Sequence, residues 1–112
     1  MFEFGKIVLV PFPFTDLTST KIRPALIVSN DNSSDVIVAF ITSKSKKLVK
    51  TDYVIGQSDV DFKETGLKTD SVIVLNKMAT INKKIILGEL GCCSVKLLKK
   101  IKPVFEGVFG FL

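Results

Sequence analysis

The feature that most constrains this chain is a series of short β-branched, apolar runs with turn residues between them. They read "KIVLVP" (6 to 11), "ALIVS" (25 to 29), "VIVAFITS" (36 to 43), "SVIVLNKMATI" (71 to 81) and "KIILGEL" (84 to 90). Each run has strand length, and the cluster "DNSSD" (31 to 35) is a turn signal between two of them. "DYVI" (52 to 55) adds one more short strand, and the polar stretch 56 to 69 shows neither a strand nor a helix period. Strands without intervening helices argue for a small barrel or sandwich. From Ser94 the pattern changes, with Val95, Leu98, Ile101 and Phe105 at helical spacing and Lys96, Lys99, Lys100 and Lys102 on other faces. Ser94 is the expected N-cap, and Pro103 is expected to kink or restart the helix before "VFEGVFGFL". The chain therefore reads as mainly β with a C-terminal helix, in a single domain spanning 1 to 112.

No apolar run approaches the roughly 18 residues that a spanning helix needs. The run "IVLVPFPF" is short enough to mimic a signal-peptide core, but Glu3 precedes it, Pro11 and Pro13 break it, and no small-residue cleavage site follows. A cytoplasmic chain is expected. Cys92 and Cys93 are adjacent, so a bridge between them is strained, and with no histidine there is no zinc or iron–sulfur pattern. Reduced, partly buried thiols, no metal and no cofactor are expected. A hydrophobic fraction of 46% exceeds what one small core needs, and the surplus points to a homodimer interface. The net charge of +5 comes from lysines in "SKSKK", at Lys50, in "NKK" and in "KLLKKIK". Such a surface concentrates nucleic acid, although on charge alone a solvated lysine face is the simpler reading.

Arg23 is the only arginine in the chain. It closes a polar loop holding Thr15, Asp16, Thr18, Ser19, Thr20 and Lys21, and it precedes Pro24, which biases it to extended geometry. A guanidinium offers a planar fork of donors that matches two phosphate oxygens, which an ammonium does not. The competing reading is a structural pair with Asp16 or Asp70. Residue type leaves the two even.

Taken together, "GKIVLVPFPFTDLTSTKIRPALIVSND", "VIVAFITS" and "TGLKTDSVIVLNKMATINK" resemble the successive signature segments of the MazF/PemK family of toxin endoribonucleases. The Arg-Pro-apolar strand followed by Ser-Asn-Asp, with Ile-Thr on the next strand and Asp-Ser-Val later, is specific in combination. The resemblance implies a small SH3-like barrel of the MazF/PemK/CcdB type with a C-terminal helix, a homodimer, and the toxin half of a type II toxin-antitoxin system. It also implies an antitoxin partner and metal-independent, sequence-specific cleavage of single-stranded RNA that halts translation and growth. Its catalytic pair falls on Arg23 and Thr42. Thr15, Ser19, Thr20, Lys21, Ser43, Lys44, Asn76, Lys77 and Thr80 are the expected substrate contacts. The fifth strand departs from the family, with Val74 and Asn76 where some relatives carry an arginine and an aspartate, and Ala79 where an arginine is common.

The residues present restrict the chemistry. Without histidine the two-imidazole route to RNA cleavage is closed. Arg23 stays protonated near neutral pH, so its role is stabilising charge rather than moving a proton, while Thr42 can hydrogen-bond a phosphate oxygen or orient the 2′-hydroxyl. Lys44, Lys46, Lys47 and Lys77 are candidates for the RNA backbone. Phe12 or Phe14 can stack on a base, with core packing the better expectation for both. Asp70 is expected to be a turn or hydrogen-bonding residue. Two readings from other classes stay open, a gyrase-poisoning toxin of similar fold and a non-catalytic RNA-binding module.

Overall fold

A computed structural model describes residues 3 to 12, 21 to 29, 33 to 43 and 47 to 110. The apolar runs form strands β1 (Lys6–Phe12), β2 (Lys21–Ile27), β3 (Asp35–Thr42), β4 (Asp52–Ile55), β5 (Ser71–Asn82) and β6 (Gly88–Cys92). They pair antiparallel in one curled, six-stranded sheet in the order β4-β5-β3-β2-β1-β6. A helical turn, α1 (Phe62–Thr65), lies between β4 and β5, and the C-terminal helix α2 (Val95–Val108) follows β6. The mainly β architecture with a C-terminal helix is the one expected.

Side chains alternate between the faces of a strand, and here both faces carry an apolar cluster. On the first face Ile7, Leu26, Ala39, Ile41, Ile73 and Leu75 pack with Leu97 and Ile101 of α2. On the second, Val8, Val10, Ala25, Ile27, Val36, Val38 and Ile81 pack with Ala79, Ile85 and Ile86. Burial on both sides is why these strands read as nearly continuous apolar runs instead of alternating ones.

Helix α2 begins where its cap residue predicts. Ser94 Oγ accepts from the Leu97 N–H at 3.1 Å and donates to Asp61 Oδ1 at 2.9 Å. Lys100 Nζ lies 3.7 Å from the other oxygen of the same carboxylate, so Asp61 ties the start of α2 to the turn before α1. The helix does not restart at Pro103 but runs through it. Pro103 leaves the Lys99 carbonyl without its helical donor, and Lys99 is exposed.

Three local assignments differ from the sequence reading. Strand β2 starts at Lys21, ahead of the apolar run, because β1 continues to pair with it as far as Phe12↔Lys21. The run 84 to 90 is not one strand: Asn82 Oδ1 accepts from the Lys84 N–H at 2.8 Å and caps a 3₁₀ turn over Lys83–Ile85, which delays β6 to Gly88. The polar stretch after β4 contains α1, whose Phe62 and Thr65 are buried. This turn packs backbone to backbone on β6. A Cβ at Gly91 would run into the carbonyls of Glu64 and Thr65, and Gly66, at φ +73°, abuts the Leu90 carbonyl.

Candidate functional site

Arg23 lies on β2 opposite Val10 of β1 and is half-buried. Strands β2 and β3 pair in the register Ala25↔Phe40, Leu26↔Ala39 and Ile27↔Val38. The pairing ends at Ala25↔Phe40, and Arg23 and Thr42 each lie two residues beyond it on their strands. Ala25 and Val38 belong to the second-face cluster, so alternation puts Arg23, Phe40 and Thr42 on that face too. On that face Arg23 comes one step beyond the buried Ala25, and the buried Val74 and Val72 of β5 stand opposite Phe40 and Thr42.

No described carboxylate pairs with Arg23. The ion pairs Lys6–Glu89 and Lys100–Asp61 lie elsewhere, and Asp70 accepts from the Gln57 N–H at 2.7 Å. Asp70 is thus the hydrogen-bonding residue expected before β5, not a staple for Arg23. Asp16, the other carboxylate considered, lies outside the described residues.

On β5 the pairing with β3 steps from Ala39↔Met78 to Phe40↔Val74, which leaves Leu75, Asn76 and Lys77 without counterparts on β3. Leu75 turns into the first-face core, while Asn76 and Lys77 are exposed beside Phe40. Lys21 and Ser43 are exposed at the start of β2 and just past the end of β3, next to Arg23 and Thr42 respectively. Thr80 is not part of this group: it pairs with Ile37, which alternation puts on the first face. Thr15, Ser19, Thr20 and Lys44 lie outside the described residues, as do Phe14 and Lys46, while Lys47 is exposed.

A cavity of about 330 Å³ is lined by Arg23 and Ser43 together with Leu9, Pro24, Ile41, Leu67 and Ser71. Among the described residues no group of three or more His, Cys, Asp or Glu side chains could hold a metal ion. Burial, then Cys92 and Asp61, push the Cys93 thiol up to about 12, which leaves it protonated and unreactive. A half-buried guanidinium and hydroxyl on one face suit the charge of a phosphate in transfer.

Residues 3–109 match the family of PemK-like, MazF-like toxins of type II toxin-antitoxin systems. Over 89 residues the chain is 30% identical to endoribonuclease EndoA of Bacillus subtilis (strain 168), covering 76% of this chain and 73% of that protein. Among solved structures, a mycobacterial endoribonuclease in complex with its cognate antitoxin has a TM-score of 0.75 at 19% identity, covering 98% of this chain and 96% of that one. The Mycobacterium tuberculosis toxin MazF-mt6 has a TM-score of 0.73 at 20% identity, over 94% of this chain and 96% of its own. A MazE-MazF structure from Deinococcus radiodurans gives 0.73 at 15% identity, over 98% and 96% of the two chains.

Proposed function

Because the chain belongs to the PemK-like, MazF-like toxin family of type II toxin-antitoxin systems, we propose that it is an endoribonuclease that cuts single-stranded RNA at Arg23 and Thr42. The observation that supports this reading is that strand alternation from Ala25 and Val38 puts Arg23 and Thr42, each two residues beyond the last β2–β3 pair, on the same face of adjacent strands. The substrate's own 2′-hydroxyl, tethered beside the phosphate, is the nucleophile. Arg23 stabilises the charge that grows on the non-bridging oxygens, and Thr42 hydrogen-bonds the phosphate or orients the 2′-hydroxyl. Lys21, Ser43, Asn76 and Lys77 hold the flanking strand. Thr15, Ser19, Thr20 and Lys44 remain part of the proposed contact set, and Thr80, on the other face, does not.

The test is an RNA cleavage assay in EDTA with Arg23→Ala as control. Expected products carry a 2′,3′-cyclic phosphate, or its 3′-phosphate hydrolysis product, and a 5′-hydroxyl. A single deoxynucleotide 5′ to the scissile bond should stop the reaction. Strict dependence on added magnesium, or equal cleavage of the deoxy substrate, would instead require a water nucleophile. The gyrase-poisoning and non-catalytic readings have no comparable support, since the curated relative is named an endoribonuclease.

The chain has two protein partners in this reading. One is an antitoxin, as in the neighbouring structures solved with theirs. The other is a second copy, seated on an apolar groove of about 500 Å³ between α2 and the β2 side of the first face. Phe4, Val95 and Phe109 line that groove and are 42%, 70% and 49% exposed. Light scattering that finds only monomer at micromolar concentration would remove the dimer. No described helix is long and apolar enough to cross a membrane, and a messenger-RNA target puts the action in the cytoplasm.

A further inference from the structure

We infer that the cavity of about 330 Å³ at the ends of β2 and β3 receives the base of a nucleotide flanking the scissile phosphate, an inference that rests on Arg23 and Thr42 being the cleavage site. Its place follows from the two strands. Arg23 stands between Ile22 and Pro24, and Thr42 between Ile41 and Ser43; all four of these neighbours line the cavity, and so does Arg23 itself. Arg23 is the third residue of β2 and Thr42 the last of β3, so the pair and the cavity share one end of the sheet. A strand of RNA whose phosphate meets Arg23 there has the cavity within reach of an adjoining base.

The walls suit a flat ring with a polar edge. On one side are Leu9 and Pro24, which pair across β1 and β2, and Leu90 of β6, all half-buried. On the other, the link from α1 to β5 supplies Gly66, Leu67, Lys68 and Ser71. Hydrogen bonds within the protein already hold that link: Thr65 Oγ1 accepts from the Leu67 N–H at 3.2 Å, and Gln57 Nε2 donates to the Lys68 carbonyl at 2.9 Å. Ser71 is 4% exposed, and its hydroxyl donates to the Thr69 carbonyl at 2.8 Å. With its one hydrogen committed, Ser71 offers the cavity lone pairs, which accept an N–H from a base edge. Lys68 and Arg23 offer the opposite, donors for the ring nitrogens and exocyclic oxygens of a base.

The volume is that of a small-molecule site, at the lower end of roughly 300–1,000 Å³. An aliphatic side chain from a protein partner would fill the apolar part and leave Ser71 and the two cations unmatched. A splayed-out base matches both, packing its faces on Leu9, Pro24 and Leu67 and hydrogen-bonding at its edge, which is how single-stranded RNA is read. The cavity thereby selects the base beside the cut.

Leu9, Ile22, Ile41, Leu67 and Leu90 of the lining carry methyl groups, so methyl NMR reads the cavity directly. The probes are homopolymers of A, C, G or U bearing 2′-O-methyl groups throughout, which cannot supply the nucleophile, and an abasic oligomer of the same backbone. At least one homopolymer should shift the Leu9, Ile22 and Leu67 methyls saturably through the ring current of its base, while the abasic oligomer leaves them in place. Ser71→Ala keeps the cavity and removes the acceptor, so it should weaken binding of that homopolymer about 2- to 10-fold and leave the abasic oligomer unaffected. Cavity methyls unmoved by every homopolymer at saturation, or moved equally by the abasic oligomer, overturn the proposal and leave the cavity to a protein side chain. If Ser71→Ala fails to fold, the methyl shifts decide alone. Wild-type cleavage of unmodified random-sequence RNA is measured alongside, and the base next to the cut should be the one that shifts the methyls. Methyl shifts without cleavage would keep the base pocket and remove the catalytic reading, and cleavage without methyl shifts would do the reverse.

Discussion

The two faces of the sheet are built by the same strands and are put to different uses. On the first face α2 lies across the sheet, and its polar groups, Asp61, Ser94 and Lys100, are engaged with one another to hold the helix. On the second, an apolar cluster that includes Val10 and Ala25 is bordered by Arg23, Thr42, Asn76 and Lys77, with the buried Val72 and Val74 among them. Neighbouring residues on one strand thus belong to opposite categories: Ile41 is core and Thr42 is site. Stability and activity should therefore separate along the alternation of a single strand.

The largest expected effect tests the open face. Arg23→Lys keeps the charge and discards the fork, so single-turnover cleavage should fall about 100- to 1,000-fold while thermal stability is unchanged. A near wild-type rate would make the guanidinium structural and erase the distinction between the faces. On the closed face, Ile101→Ala should cost about 2–5 kcal/mol in a urea titration, with cleavage retained by the folded fraction. Ser94→Ala removes the cap of α2 and should cost about 1 kcal/mol. A loss of cleavage in either folded variant, beyond its loss of stability, would show that the faces are coupled. Lys77→Ala should leave folding alone and reduce the salt slope of RNA binding by about 0.9, one phosphate contact.

The smallest effect at ordinary pH concerns Cys93. With its thiol pushed up to about 12 in the folded chain, the neutral form is favoured on folding. Its contribution to stability is complete below the unfolded value of about 8.5 and is lost as pH rises from there towards 12. A melting temperature that declines above pH 9 less steeply in Cys93→Ala than in wild type is the expected signature. Equal slopes would take the thiol out of the closed face's energetics.

Much of this was legible in the sequence. β-branched composition determined that the chain makes strands, and Ser94 determined where the helix begins, because both act through local geometry and a local hydrogen bond. The absence of histidine and the single arginine before a proline restricted the chemistry to charge stabilisation at one place. What only the tertiary structure decided was who meets whom. The period of two says that Phe40 and Thr42 share a face but not that Arg23 faces it too, since register is settled by pairing between segments far apart in the chain. The three extra β5 residues show why counting fails there. The bulge restarts the alternation, leaving Asn76 and Lys77 beside the site and Thr80 on the other face, though all three lie within one continuous run of sequence. A strand's side-chain pattern is local, but its face and its partners depend on where every neighbouring strand has already been placed.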